Sequence, residues 1–303
     1  MRAEPDAEPE MIADYPCETG EGPLWHPTER RLYWVDIPPG HLYRYDPASG
    51  RHERCYDSGG EAIGGFTVQA DGALLLLMAR GAARIWREGE VTTLWDSIPE
   101  ERDTRFNDVI ADPEGRVFGG TMGTPQRPGR QYRIEPDGSR HVVLEAVHVP
   151  NGMGFTPDGR SVYFTDTHTH EIDRFAYDRR TGALSDRRPF ARVPFEPGEG
   201  GPDGMTVDAD GYVWSARWDG SCLVRYSPQG EEVLRIPFPV RKVSSVTFGG
   251  EDYTEMYVTT AGGHLRDAGK EPPEGRYAGA LFRLRLDGVR GVPEFTSRIL
   301  LSP

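Results

Sequence analysis

Short runs of alternating apolar and polar residues, separated by turn residues, recur along the whole chain. In residues 149–182 an apolar run leads to the Asp158-Gly159 turn, an alternating strand over 161–166 and a further strand that ends at a second turn. An Asp-Gly pair between alternating apolar residues is a strong hairpin signal, because the favoured two-residue turn needs positive φ at both central positions. The pattern therefore predicts an antiparallel β unit.

The same unit occurs six times. Two strands joined by a turn are predicted over residues 23–36, 66–78, 109–121, 154–166, 205–217 and 246–260. A third strand is predicted after each of them, over residues 41–50, 83–90, 131–138, 171–182, 222–230 and 280–288. From the second unit onward the turn acids are 41 to 52 residues apart, which is close to the repeat length of four-stranded propeller blades.

This repeat predicts an all-β chain folded as a six-bladed β-propeller. One four-stranded sheet cannot bury both of its faces, whereas six sheets packed around an axis can. A β-sandwich or a parallel β-helix is the alternative, but neither explains a repeat of this length. We expect residues 12–303 to form a single propeller domain after a flexible, acidic and proline-rich head over 1–11. Residues 297–303 and the region around Cys17 are candidates for the strand that closes the last blade.

Composition narrows the possible partners and the compartment. The formal net charge of -13 argues against nucleic acid, since phosphate neutralisation needs clustered Lys and Arg. No apolar run is long enough to span a membrane, and the N-terminus lacks the features of a signal peptide. We therefore expect a cytoplasmic protein, monomeric or a small homo-oligomer. Its three cysteines are widely spaced and are predicted to be free thiols.

Four oxygen-bearing side chains stand at one equivalent position, seven residues before the turn residue of their unit: Glu21, Asn107, Asn151 and Asp203. In the second and sixth units the position holds Gly64 and Ser244. Because the innermost strands of a propeller line its central channel, equivalent positions converge at one depth on the axis. Two carboxylates and two amides brought together there need a compensating charge.

A divalent cation would supply that charge. Ca²⁺ takes carboxylate and amide oxygens and is the expected ion, with Zn²⁺, Mn²⁺, Mg²⁺ or Fe²⁺ as alternatives. The alternative interpretation is that these residues serve turns, since Asn151-Gly152 and Asp203-Gly204 both have turn-like sequences. However, the turns are already assigned seven residues later, which favours the metal site.

Several segments resemble the motifs of the senescence marker protein, gluconolactonase and luciferin-regenerating enzyme family, in the same order along nearly the whole chain. They are EGP at 21–23, RFND at 105–108, GTM at 120–122, PNGM at 150–153, PDGM at 202–205, VTFGG at 246–250 and AGALFR at 278–283.

The resemblance implies a six-bladed propeller and a metal-dependent lactonase that acts on sugar lactones. It assigns the metal ligands to Glu21, Asn151 and Asp203, and substrate contacts to Arg105 and Asn107, with Asn107 also close to the metal. One departure concerns the loop over residues 123–130, which is short and carries no acid, whereas many sugar lactonases of the family have a longer loop bearing one.

The expected function is therefore a gluconolactonase-like hydrolase that opens an aldonolactone to the sugar acid with metal-activated water, in which Asp203 is the candidate base. A metal-dependent esterase or phosphotriesterase needs the same ion and an open pocket, so these remain alternatives. A non-catalytic metal-binding scaffold is the third hypothesis. His168 and His170, in the stretch THTH, alternate instead of taking a helical metal-binding spacing, and a solvated turn is predicted there.

Overall fold

The computed structural model describes residues 8–266 and 273–301, which form six four-stranded antiparallel sheets. The described chain begins with β1 (Glu10–Ala13), which belongs to the last sheet. The first sheet consists of β2 (Gly20–His26), β3 (Arg31–Asp36), β4 (His41–Asp46) and β5 (Arg51–Asp57). The second consists of β6 (Ile63–Val68), β7 (Leu74–Met78), β8 (Ala83–Arg87) and β9 (Glu90–Trp95). The third consists of β10 (Phe106–Ala111), β11 (Val117–Thr121), β12 (Gly129–Ile134) and β13 (Arg140–Val147).

The other three sheets follow the same order from the inside outward. The fourth consists of β14 (Pro150–Phe155), β15 (Ser161–Asp166), β16 (Glu171–Asp178) and β17 (Ala183–Arg192). The fifth consists of β18 (Gly201–Val207), β19 (Val213–Trp218), β20 (Cys222–Tyr226) and β21 (Glu232–Pro237). The sixth consists of β22 (Val243–Gly249), β23 (Glu255–Thr260), β24 (Leu281–Arg285) and β1. The first strand of each sheet contacts that of the next, including β22 with β2, so the ring is closed. The predicted six-bladed β-propeller is confirmed.

The helical segments of the described residues are three short 3-10 turns (Pro99–Glu101, Thr167–Thr169 and Gly263–Leu265). None of them is long and apolar enough to cross a membrane. Cys17, Cys55 and Cys222 are free thiols, as their spacing predicted.

The hydrophobic core lies between neighbouring blades. Trp214 of β19 and Phe248 of β22 are buried and meet edge to face, with ring centroids 6.4 Å apart. Trp25 of β2 stacks on Tyr257 of β23 across the junction of the first and last blades. Each sheet therefore buries both faces against its neighbours, and every inner strand is held at a fixed distance from the axis.

The last blade is completed by β1, and neither predicted candidate for the closing strand forms it. Glu10, Met11 and Ala13 pair with Arg283, Phe282 and Leu281 of β24. Two residues of the head predicted over 1–11, Glu10 and Met11, are thus part of the sheet, whereas residues 1–7 lie outside the described chain. Cys17 follows β1 and is buried beneath it in the cluster that contains Ala13 and Trp34.

The segment that follows Glu294 crosses the second and third blades instead of adding a strand. The backbone N–H and C=O of Ser297 bond to Val68 O and Ala70 N, and the side chain of Gln69 bonds both the N–H and the C=O of Ile299. Arg298 N then donates to Gly115 O in the third blade. The part of the 297–303 tail up to residue 301 therefore ties two blades together, and residues 302–303 are not described.

Pairing of β1 is expected to be essential for stability, because it joins the two ends of the ring. Ala13 is only 1% exposed. Replacing it by Asp would bury a carboxylate without a partner, so we expect Ala13→Asp to lower the free energy of unfolding by about 3 kcal/mol or more. Urea denaturation measures this. Glu10→Gln, in the same strand but exposed, is the control and should cost less than about 1 kcal/mol; equal losses would contradict the closing role of the buried position.

Candidate metal centre and active site

All six inner strands break their regular pairing at the level of the predicted site. The breaks fall at Glu21/Leu24, Ile63/Gly65, Asn107/Val109, Asn151/Met153, Pro202/Met205 and Val243/Ser245. A β-bulge re-aims the side chain beside it and bends the strand. The shared register found in the sequence therefore corresponds to a ring of bulges around the channel.

The Gly residues in the Asn-Gly and Asp-Gly pairs serve close packing of strands and are not turn residues. Gly152 lies within β14, and a Cβ there would come within 2.5 Å of Asp203 O in the next blade. Likewise, a Cβ at Gly204 would come within 2.1 Å of Ser245 Oγ. Only glycine allows the inner strands to approach this closely, so the turn interpretation of these two pairs is wrong.

The structure places Glu21, Asn107, Asn151 and Asp203 on the inner strands of four different blades, with exposures of 7%, 7%, 5% and 2%. Two of them touch directly, because Asn107 Nδ2 donates to Asn151 Oδ1 over 3.2 Å. The two carboxylates, Glu21 and Asp203, are also near each other, because the charge of Glu21 adds to the burial that raises the pKa of Asp203.

Arg105 joins this group from the residue before β10. Its guanidinium donates to Asn107 Oδ1 over 2.6 Å and to Phe106 O over 2.9 Å. The oxygen of Asn107 is therefore directed to Arg105, and its Nδ2 is shared between Pro150 O and Asn151. Burial lowers the pKa of Arg105, and the charges of Glu21 and Asp203 oppose that lowering.

The Arg105 guanidinium offsets the negative charge of the buried acids only in part. Burial raises the pKa of Glu21, and the nearby charge of Asp108 raises it further. Burial likewise raises the pKa of Asp203 well above the usual range for Asp, with Glu21 and Asp108 adding to the effect. Both shifts have the sign expected of carboxylates that are desolvated next to like charges.

These residues fit a divalent cation. In the part of the chain that the structure describes, neither carboxylate forms an ion pair with a cationic side chain, and Asn151 has an amide oxygen. Together they form the oxygen donor set that hard cations take. Within the described residues no group of three or more His, Cys, Asp and Glu side chains is arranged to hold a metal ion. Of the four predicted ligands, Glu21 and Asp203 are carboxylates, whereas Asn107 and Asn151 are amides and do not count toward such a group.

Asp108 is a site residue that the sequence reasoning missed. It occupies the bulge after Asn107 in the left-handed region, with φ of 40°, and burial raises the pKa of its carboxyl to about 6. A signal was present in the register, because the residue after the site position is Gly in four of the other blades: Gly22, Gly65, Gly152 and Gly204. The positive φ of Asp108 is a strained conformation for a residue other than Gly, and such strain is common at functional sites.

Glu101 is a second residue that was missed. It is fully buried and accepts hydrogen bonds from Arg127 (3.0 Å), Arg130 (2.9 Å) and Tyr132 (2.7 Å). Two of these donors belong to the acid-free loop over 123–130. Glu101 thus holds that short loop against the segment that leads into Arg105. It does not stand at a position that recurs from blade to blade, so the sequence repeat could not reveal it.

A cavity continues along the axis beyond these residues. Asp108, Met153, Met205 and Thr247 from the inner strands line it, together with Glu294 from the segment after β24. Burial raises the pKa of Glu294 to about 7, although Thr206 Oγ1 donates to it over 3.3 Å. Asp108, the residue after Asn107, thus faces a cavity that holds a second acidic position, Glu294, whereas the four candidate ligands do not line it themselves.

Comparisons with known proteins agree with this architecture. Residues 19–262 match the family model described as SMP-30/Gluconolactonase/LRE-like region. The pentonolactonase XacC of Haloferax volcanii is 48% identical over 292 residues, which cover 96% of this chain and 98% of the relative. Regucalcin of Gallus gallus is 34% identical over 286 residues, covering 91% and 93% respectively.

A solved structure shows the same fold. The crystal structure of a calcium-binding protein, regucalcin, from Agrobacterium tumefaciens superposes with a TM-score of 0.86 at 26% identity, covering 96% of this chain and 98% of the other. The chain therefore belongs to the SMP-30/gluconolactonase/LRE-like family, which confirms both the family predicted from its motifs and the lactonase class predicted with it.

Proposed function

We propose that this protein is a metal-dependent hydrolase that opens a sugar lactone to the corresponding sugar acid. The observation that carries the proposal is the convergence of Glu21 and Asp203, two buried carboxylates on the inner strands of different blades, near the Arg105 guanidinium. The family and the name of the Haloferax volcanii relative support lactone chemistry. Because that relative is named a pentonolactonase, five-carbon aldonolactones are the favoured substrates.

Glu21, Asn151 and Asp203 would hold the cation, and Asn107 would lie beside it. When bound, a divalent cation supplies Lewis-acid polarisation of a carbonyl and makes water more acidic. Calcium is the favoured ion, because the ligands are all oxygen donors and the Agrobacterium tumefaciens relative is described as a calcium-binding protein.

Asp203 is proposed as the base. At 2% exposure its carboxylate is shielded from bulk solvent. As a group beside the cation, it would be within reach of a water molecule there and could take the proton of that water. The same group can return that proton to the leaving oxygen of the ring.

Arg105 is proposed to orient the substrate. One of its terminal nitrogens is committed to Asn107 and Phe106, which fixes the plane of the guanidinium. Its remaining donors can bind ring hydroxyls or the developing negative charge on the carbonyl oxygen.

The overall step is balanced by one water molecule. Its oxygen forms a bond to the lactone carbonyl carbon, the bond from that carbon to the ring oxygen breaks, and the ring oxygen takes a proton. At neutral pH the resulting carboxylic acid releases a proton to solution, so that hydrolysis can be followed as acid production.

A proton-release assay tests the proposal. Five-carbon and six-carbon aldonolactones are compared with a simple aryl ester and a neutral phosphotriester, and bound metal is quantified by elemental analysis of the same preparation. We expect the highest kcat/KM for five-carbon lactones and about one equivalent of divalent cation. Faster turnover of the ester or the phosphotriester would reassign the substrate, and inactivity on all of them would favour a metal-binding scaffold.

A further inference from the structure

The turn over Thr167–Thr169, in the stretch predicted to be a solvated THTH turn, is anchored at the edge of the site. Asp166 caps it by accepting the N–H groups of His168 (3.1 Å), His148 (3.0 Å) and Val149 (3.0 Å). Thr167 N in turn donates to Val149 O over 3.0 Å. The turn therefore has a fixed position relative to β14, the strand that carries Asn151.

The Thr167 hydroxyl connects two blades at this point. It donates to Pro202 O over 2.7 Å and faces Asn151 Nδ2 at 2.8 Å. A carbonyl oxygen can only accept, so the single hydroxyl proton belongs to the bond with Pro202. The atom of Asn151 that faces Thr167 must therefore be the donor, its NH₂ group, and Oδ1 is turned away from the turn.

The hydrogen bonds from Arg105 to Pro202 form a series in which every bond has the same donor-to-acceptor direction. Arg105 can only donate, and it donates to Asn107 Oδ1; Asn107 Nδ2 donates to Asn151 Oδ1, and Asn151 Nδ2 donates to Thr167. The chain starts at an obligate donor and ends at an obligate acceptor, Pro202 O. Each amide between them can be oriented in only one way without losing a bond.

We infer that Thr167 is a positioning residue for the metal centre. By accepting the Asn151 NH₂ group, its hydroxyl holds the Asn151 oxygen on the side of Asn107, another residue of the proposed site. By binding Pro202 O, it also fixes the backbone immediately before Asp203. Without it, the Asn151 amide could turn its NH₂ group to the cation, which repels a cation instead of binding it. This inference rests on the proposed function.

The test measures divalent-cation affinity of the metal-free protein by isothermal titration calorimetry with Ca²⁺ and with Mn²⁺. Thr167→Val keeps the shape of the side chain but removes the hydroxyl, and it should weaken binding by about 10- to 100-fold, the usual range for groups that orient a ligand. Thr167→Ser keeps the hydroxyl and should bind like the wild type. If the valine variant does not fold, Thr167→Ala removes the same hydroxyl without the bulk.

Thr169 provides a matched control. It lies in the same turn, and its hydroxyl donates to Asp166 O over 3.0 Å, within the turn itself. Thr169→Val should leave the cation affinity unchanged, whereas an equal loss would mean that the turn acts only as structural support and would overturn the inference. Thermal unfolding of the metal-free variants shows whether either one perturbs the fold.

A double-variant cycle separates orientation from general support. In Asn151→Asp both side-chain oxygens can bind a cation, whichever way the group is turned. Thr167→Val should therefore cost much less affinity in the Asn151→Asp background than in the wild type. An undiminished cost in that background would contradict orientation of the amide.

Failure of this inference and failure of the proposed function give different results. If the wild type binds no divalent cation, both are wrong. If the wild type binds a cation and hydrolyses lactones, but Thr167→Val binds the cation equally well, only the positioning role is wrong.

Discussion

Stripping the divalent cation with EDTA, followed by removal of the chelator, is expected to reduce lactone hydrolysis to the uncatalysed background. The physical reason is that Glu21 and Asp203 would then be buried near each other, with the charge of Arg105 as a partial offset. No Lewis acid would be left to polarise the carbonyl. Initial rates by proton release, together with elemental analysis of the stripped protein, measure the effect.

Adding metal ions back one at a time identifies the ion that supports catalysis. Adding Ca²⁺, Mn²⁺, Zn²⁺, Mg²⁺ or Fe²⁺ separately to the stripped protein should restore activity to different extents, and the ranking selects among the candidates. Circular dichroism before and after stripping controls for loss of fold. Full turnover by a preparation shown to contain no metal would remove the cation from the mechanism.

Asp203→Asn is expected to lower kcat by about 10²- to 10⁴-fold, the contribution usual for a positioned general base. The change keeps the size of the side chain and one oxygen, so the inner strand should retain its packing. It also removes a buried charge next to Glu21, so the metal-free variant should unfold at the same temperature as the wild type or a higher one. The measurements are kcat at saturating cation and the unfolding temperature.

The control for this substitution is Asp210→Asn, which changes an exposed acid in the same blade, seven residues further along the chain. It should leave kcat unchanged. Measuring cation affinity of Asp203→Asn distinguishes the two roles proposed for the carboxylate: a defect that saturating metal repairs identifies a ligand only, and one that persists identifies the base. Wild-type kcat in Asp203→Asn would contradict both roles.

The propeller and the register of the site could be predicted because both repeat. Each blade has its own turn, and the distance from that turn back to the inner strand is fixed by strand length, so Asn107, Asn151 and Asp203 could be aligned without coordinates. Local sequence determines both features, and each blade supplies an independent check of the others.

The features that were missed depend on contacts between distant segments. In the sequence, most of β1 lies within or next to an acidic N-terminal segment that was predicted to be flexible. Its partner β24 is some 270 residues away, so no local pattern indicates the pairing. The role of Thr167 depends on Asn151, 16 residues before it, and on Pro202, 35 residues after it. Asp108 was the exception, since comparison of the bulge position between blades would have revealed it.

Closure of the ring by β1 has a consequence for synthesis on the ribosome. β1 must wait for β24 before it can pair, because that partner lies some 270 residues later in the chain. The blade that carries Glu21 likewise lacks its contact with β22 until β22 has been translated. The candidate site can therefore be assembled only after these distant strands have met, a non-local step of the kind that limits folding rates.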